Sequence, residues 1–221
     1  MNLLHSQASI GLVWLGWLLF APALLWVLRG VRRHIAERGL VEHAWLGGAV
    51  CVALLWMLEV RIGNGPGFGM LGCGLYALVF GRDRAILGLT LALVLHTALN
   101  DGAWANLGLN GVLFAMVPAL IAGAVQRRIE TYLPHNVFVF IIGNGMFATL
   151  AATVVTSLAL IGVSLAGGAS HAVADLGEYV GAAMLLAWSE AIVSGMLFSA
   201  LVIFLPAVVL TFRQDVYLPR R

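Results

Sequence analysis

The basic residues of this chain sort onto one side of a bilayer once its apolar stretches are read as membrane spans. All twelve are arginine. Eleven of them, Arg29, Arg32, Arg33, Arg38, Arg82, Arg84, Arg127, Arg128, Arg213, Arg220 and Arg221, fall in four segments, 29–43, 81–84, 126–136 and 212–221, and only Arg61 lies elsewhere. Cytoplasmic connections carry an excess of Lys and Arg, so these four segments mark the inner side. A helical span needs about 20 apolar residues. The pattern therefore predicts an all-α integral membrane protein, one polytopic domain over residues 1–221. It has about seven spans, near 10–28, 44–60, 66–80, 85–99, 107–125, 137–162 and 181–206, with the N-terminus outside and the C-terminus cytoplasmic. The outer segments carry Asp101, Asp175 and Glu178, with Glu59 closing the second span. A different span count would mix the charges.

Composition points the same way. The chain is 62% hydrophobic and 10% charged, whereas a soluble domain carries about 25% charged residues. The lipid bilayer is thus the partner of most of its surface, and a plasma (inner) membrane location is expected. Arginines at span ends do not form a groove, so no nucleic-acid partner is expected. The stretch 10–28 exceeds a usual signal core, and Arg29, Arg32 and Arg33 follow it, so it is expected to remain as the first span. The third and fourth spans are short and flanked by glycine, which suggests helices that stop within the bilayer and line a protein-enclosed cavity. An alternative makes 66–99 a hairpin of two tilted helices turning at Gly81–Arg84. Cys51 and Cys73 lack metal or redox spacing and read as packing residues. No Walker A sequence, nucleophile motif, paired-His helix or haem attachment signature occurs, so enzyme activity is not expected.

Three groups of polar residues stand out. Asn64, Gly65, Pro66, Gly67 and Gly69 form a turn cluster, read either as a plain hairpin or as a loop that closes over a small ligand. His96, Asn100 and Asp101 lie about one helical turn apart at the outer end of the fourth span. A His and a carboxylate on one face can bind a divalent transition ion, although a His there can equally bond a carbonyl or water. His5 and His171 could join them. Glu190 lies within the last span, where a carboxylate costs about 2.5–3.5 kcal/mol on insertion scales and must face the protein interior. It serves either transport chemistry or an interhelical bond to Ser189, Ser194, Asn110 or Asn144. Small residues at four-residue spacing, Ala49 with Ala53, Ala119 with Gly123 and Ala148 with Ala152, allow close helix approach, and at most one pair is expected to form an intersubunit docking face.

The residues 17–22 (WLLFAP) followed by Arg29, Arg32 and Arg33, the stretch 72–81 (GCGLYALVFG), 107–111 (LGLNG) with Met116-Val117-Pro118, and Ser189-Glu190-Ala191 together resemble the CbiM/NikM-type substrate-capture subunits of cobalt and nickel energy-coupling-factor transporters. The resemblance covers most of the chain. It implies a transition-metal ion, cobalt or nickel, as substrate, with no covalently bound cofactor. It also implies a transmembrane coupling subunit and cytoplasmic ATPase subunits as partners, which alone would hydrolyse ATP. The family binds its ion through the N-terminal amine, a His after the initiator Met and a His three residues before the third-span glycines. Here those two His positions are Asn2 and Gly69.

The resemblance therefore implies a relocated site that uses the Met1 amine, His5, His96 and Asp101. Met70 in place of an imidazole would turn the preference toward copper as Cu(I). Glu190, Asn110 and Asn144 would then be an interior polar brace, and residues 64–69 an occluding loop. Two other readings remain open. One is a structural or regulatory membrane partner that has lost metal binding. The other is a carrier of another small solute, coupled to protons through Glu190.

Overall fold

Proline and glycine decide where the apolar runs of this chain break. The structure, a computed structural model, describes residues 9–31, 39–58, 60–61, 67–68, 71–100, 103–134, 136–167, 176–213 and 217. Seven helices occupy them: α1 Ile10–Val31, α2 Gly39–Leu55, α3 Cys73–Phe80, α4 Arg82–Leu99, α5 Trp104–Tyr132, α6 Val137–Ala166 and α7 Leu176–Phe204. Four of these, α1, α5, α6 and α7, are long and apolar enough to cross a membrane. Two of those four are interrupted helices. In α5 a π turn, Val112–Met116, immediately precedes Pro118. Proline has no N–H to donate and crowds the preceding turn, and the wider π turn accommodates it. In α6 the π turn Gly143–Ala148 holds two glycines, and a Cβ on Gly145 would sit 3.0 Å from the Phe198 ring of α7.

The third helix departs most from the expected span. Residues 66–80 do not form one helix. Gly67–Phe68 instead pairs antiparallel with Val60–Arg61, and helix begins only at Cys73. Glycine-proline sequence favours a turn over helix in 65–67, and Gly72 at φ 63° enters the left-handed region that ends any approach to helix from the N-terminal side. Eight residues rise about 12 Å, so α3 covers less than half of a ~30 Å hydrocarbon core. Its junction with α4 is one residue, Gly81 at φ 78°, rather than the four-residue turn of the hairpin alternative. Arg82, Asp83 and Arg84 belong to the first turn of α4.

Short as it is, α3 is the axis of the bundle. It touches α2, α4, α5, α6 and α7, and every residue from Cys73 to Phe80 except Leu75 is buried. An apolar helix with no polar face is placed that way. The turn after α7 folds back to cap it. Leu210 N–H donates to Val79 O at 2.8 Å, and the Thr211 hydroxyl donates to Leu78 O. Around this axis α1 lies on α5 through glycine contacts: a Cβ on Gly16 would meet the Leu109 backbone at 2.6 Å, and one on Gly111 the Phe20 ring at 2.5 Å. Ala49, Ala53, Ala119, Ala148 and Ala152 are buried within the chain, so these small residues serve packing of its own helices. Cys73 is buried, whereas Cys51 faces outward from α2.

The arginine-bearing helix ends converge. Gly30 at the end of α1, Phe80 and Gly81 after α3, Arg82–Arg84 of α4, Arg127 of α5 and Leu210–Thr211 beyond α7 line one cavity of about 620 Å³. Arg82 also stacks over Trp26 of α1, 5.6 Å from the ring centroid. Three of the arginines sorted to one side in the sequence, Arg82, Arg84 and Arg127, thus share one face of the folded bundle.

Candidate functional site

The turn at Leu71–Gly72 is where the polar groups of the interior meet. Because α3 stops at mid-depth, its first N–H groups have no intrahelical acceptor, a situation water would relieve in a soluble protein. Glu190 of α7 relieves it here. Its Oε2 accepts from Leu71 N–H at 3.0 Å, and its Oε1 from Gly72 N–H at 2.8 Å. The side chain is 1% exposed. The Thr153 hydroxyl of α6 approaches the same carboxyl without completing a hydrogen bond. A carboxyl at this place also opposes the positive end of the α3 dipole.

The other side of the same turn is held by an indole. Trp56 Nε1 donates to Leu71 O at 2.8 Å, and the Cys73 thiol donates to that carbonyl at 3.4 Å. The Trp56 ring in turn contacts His96 edge to face at 6.2 Å and Phe114 at 6.0 Å. The end of α2, the start of α3, the C-terminal end of α4 and the π turn of α5 are thereby joined through one side chain. The Gly67–Phe68 strand of the ribbon it forms with Val60–Arg61 lies against α7.

His96 is 4% exposed and faces this interior. Its carbonyl accepts from Asn100 N–H at 3.1 Å and from Asn100 Nδ2 at 3.0 Å, so Asn100 caps α4 rather than joining the imidazole. Met1, His5, Asp101 and His171 lie outside the described residues, as do Asn64, Gly65, Pro66, Gly69 and Met70; of the turn cluster only the Gly67 backbone is described. Among the described residues no three His, Cys, Asp or Glu side chains come together. The alternative partners of Glu190 do not appear either. Among the described residues neither Asn110 Oδ1 nor either amide atom of the fully buried Asn144 finds a hydrogen-bond partner, and Ser189 donates to Leu186 O. Glu190 thus braces the backbone at the start of α3. The Trp56–Leu71 contact was missed in the sequence, where a Trp near a span end reads simply as an interfacial residue.

A bundle of this kind, with a buried half-helix braced by an acid from the last span, is an all-α, multi-pass protein of the plasma membrane. Its fold matches two solved structures closely in extent. One, the crystal structure of a truncated transition metal transporter, superposes with a TM-score of 0.72 at 18% identity, over 92% of this chain and 99% of that one. The other, the crystal structure of a transition metal transporter, gives 0.71 at 19% identity, over 94% and 93%. No curated protein matches the chain. Residues 8–208 match the family CbiM, the cobalt uptake substrate-specific transmembrane region, and the chain belongs to that family.

Proposed function

We propose that this chain is the substrate-capture subunit of a transition-metal importer of the energy-coupling-factor type, taking an ion of the cobalt or nickel class. The family membership over residues 8–208 carries the reading. The short α3 supports it, because residues 60–61 and 67–68 pair as a ribbon where a full-length third span would run. The ion enters from outside, and the Met1 amine, His5, His96 and Asp101 supply its ligands. The 64–69 loop closes over it. Glu190 holds the start of α3 in place by accepting from two of its N–H groups. A transmembrane coupling subunit and cytoplasmic ATPases drive release; the chain itself catalyses no reaction.

A second reading is favoured by Asn2 and Gly69, which stand where imidazoles of the family bind the ion. In that reading the scaffold is kept and metal capture is lost. Metal analysis of the purified protein, with His5→Ala and His96→Ala as controls, decides between them. Stoichiometric nickel, cobalt, copper or zinc, lost in either variant, establishes capture through a relocated site. A protein that takes up none of them at micromolar concentration establishes the scaffold reading.

A further inference from the structure

An apolar groove and a basic cavity meet at the arginine-bearing face, and neither belongs to the outer site. The groove, about 720 Å³, runs between α2 and α7 over the exposed side of α3. Cys51, Val52, Leu75, Val193 and Leu197 line it. Glu190 and Gly72 close it at mid-depth, and His43, Leu205 and Val208 stand at its other end. From Gly72 to Phe80, which both line it, the α3 segment rises about 12 Å. One leaflet of hydrocarbon is roughly 15 Å thick. The groove thus extends from the bilayer centre to one interface and crosses a single leaflet.

At that interface Phe80 is shared with the 620 Å³ cavity holding Arg82, Arg84 and Arg127. The Arg82 guanidinium contacts Asp83 at 2.7 Å. Three cations and one carboxylate leave the cavity a net charge of two positive. A recessed channel of acyl-chain length that ends beside a basic cavity matches the two parts of an anionic phospholipid. Basic pockets between helix ends on the arginine-rich side are where such headgroups bind, and guanidinium forks match phosphate oxygens.

We propose that one anionic phospholipid of the arginine-side leaflet is a structural ligand of this protein. One chain lies in the α2–α3–α7 groove, and the phosphate lies against Arg84 and Arg127. The lipid fills the space left between α2 and α7, which α3 is too narrow and too short to close. This inference is independent of which metal the outer site takes.

The test is lipid retention by the detergent-purified full chain after equilibration with vesicles of equal phosphatidylglycerol and phosphatidylcholine, read by native mass spectrometry. The wild type is expected to keep one phosphatidylglycerol in preference to phosphatidylcholine. Arg127→Gln should weaken retention about fivefold, the worth of one cation near an anionic surface. Val193→Trp, which fills the groove without touching the charges, should also reduce it. Retention unchanged in both variants overturns the proposal. Loss in Arg127→Gln alone, with equal displacement by inorganic phosphate, reduces the site to a phosphate pocket and overturns the acyl-chain part. No lipid preference, combined with weaker co-purification of the coupling subunit in Arg127→Gln, assigns the cavity to protein docking and likewise overturns it. Unchanged gel-filtration profiles show that each variant is folded.

Discussion

Glu190 is the most informative residue to perturb, because its two contacts are specified and a reporter sits beside them. Leu71 and Gly72 each donate one N–H to its carboxyl. Leaving a buried donor unpaired costs about 1–3 kcal/mol. Glu190→Ala orphans both donors, a cost of about 2–6 kcal/mol toward local opening of the turn. Glu190→Gln keeps one acceptor and points an NH₂ at the other donor, so about half that cost is expected. Cys73 is fully buried one residue beyond Gly72, while Cys51 is exposed. In a Cys51→Ala background, the rate of maleimide labelling at Cys73 reads the open fraction when closing is fast.

A tenfold change corresponds to about 1.4 kcal/mol. Glu190→Ala should therefore speed labelling from roughly thirtyfold to more than ten-thousandfold, and Glu190→Gln by about five- to 150-fold. Glu190→Asp keeps the charge but is one methylene short of bridging both donors. It should open the turn too, and so separates bracing from a change in thiol reactivity. If Cys73 stays as protected in Glu190→Ala as in the wild type, while wild-type Cys51 labels normally, the carboxyl does not hold the turn and this reasoning is wrong.

Two further outcomes follow from contacts elsewhere. Gly16→Ala places a methyl 2.6 Å from the Leu109 backbone, which cannot rotate away; overpacking of this kind costs about 1–3 kcal/mol. The thermal transition in detergent should fall, whereas Gly11→Ala, with nothing near it, should leave the transition in place. At the end of the chain Tyr217 packs on Phe140 and Phe212. Burial, and then Glu130, push its phenol above the ordinary value of 10, with Arg213 pulling the other way. The folded state then holds this proton more tightly than the unfolded one, so docking of the tail is intact below pH 10 and weakens as pH rises beyond it. Limited proteolysis of the tail should show that alkaline loss in the wild type and a flat profile in Tyr217→Phe.

The helical, membrane-embedded character of the chain was legible because arginine position and apolar run length report directly on solvent. Three of those arginines, Arg82, Arg84 and Arg127, meet again around one cavity in the fold. The start of α3 was not legible. The glycines from 63 to 74 permit helix breaks at several places, and only the pairing of 60–61 with 67–68 and the left-handed Gly72 select one. Glu190 was readable as an interior acid from its burial cost alone. Its partners were not, since backbone N–H groups 118 and 119 residues away leave no side-chain signature. For the metal ligands the chemistry of His5, His96 and Asp101 suggested a cluster, and the fold describes only His96, turned inward beside Trp56.

The brace also has a consequence for biogenesis. A segment of eight residues is too short to be recognised as a span by itself, so α3 must enter the membrane paired with α4 across Gly81. Its upper end then waits in lipid with unpaired donors while α5 and α6 are synthesised. Only the arrival of the last helix supplies the carboxyl. The turn at Leu71–Gly72 is therefore completed only once α7 is in place, and a chain truncated before residue 190 is a natural substrate for membrane quality control.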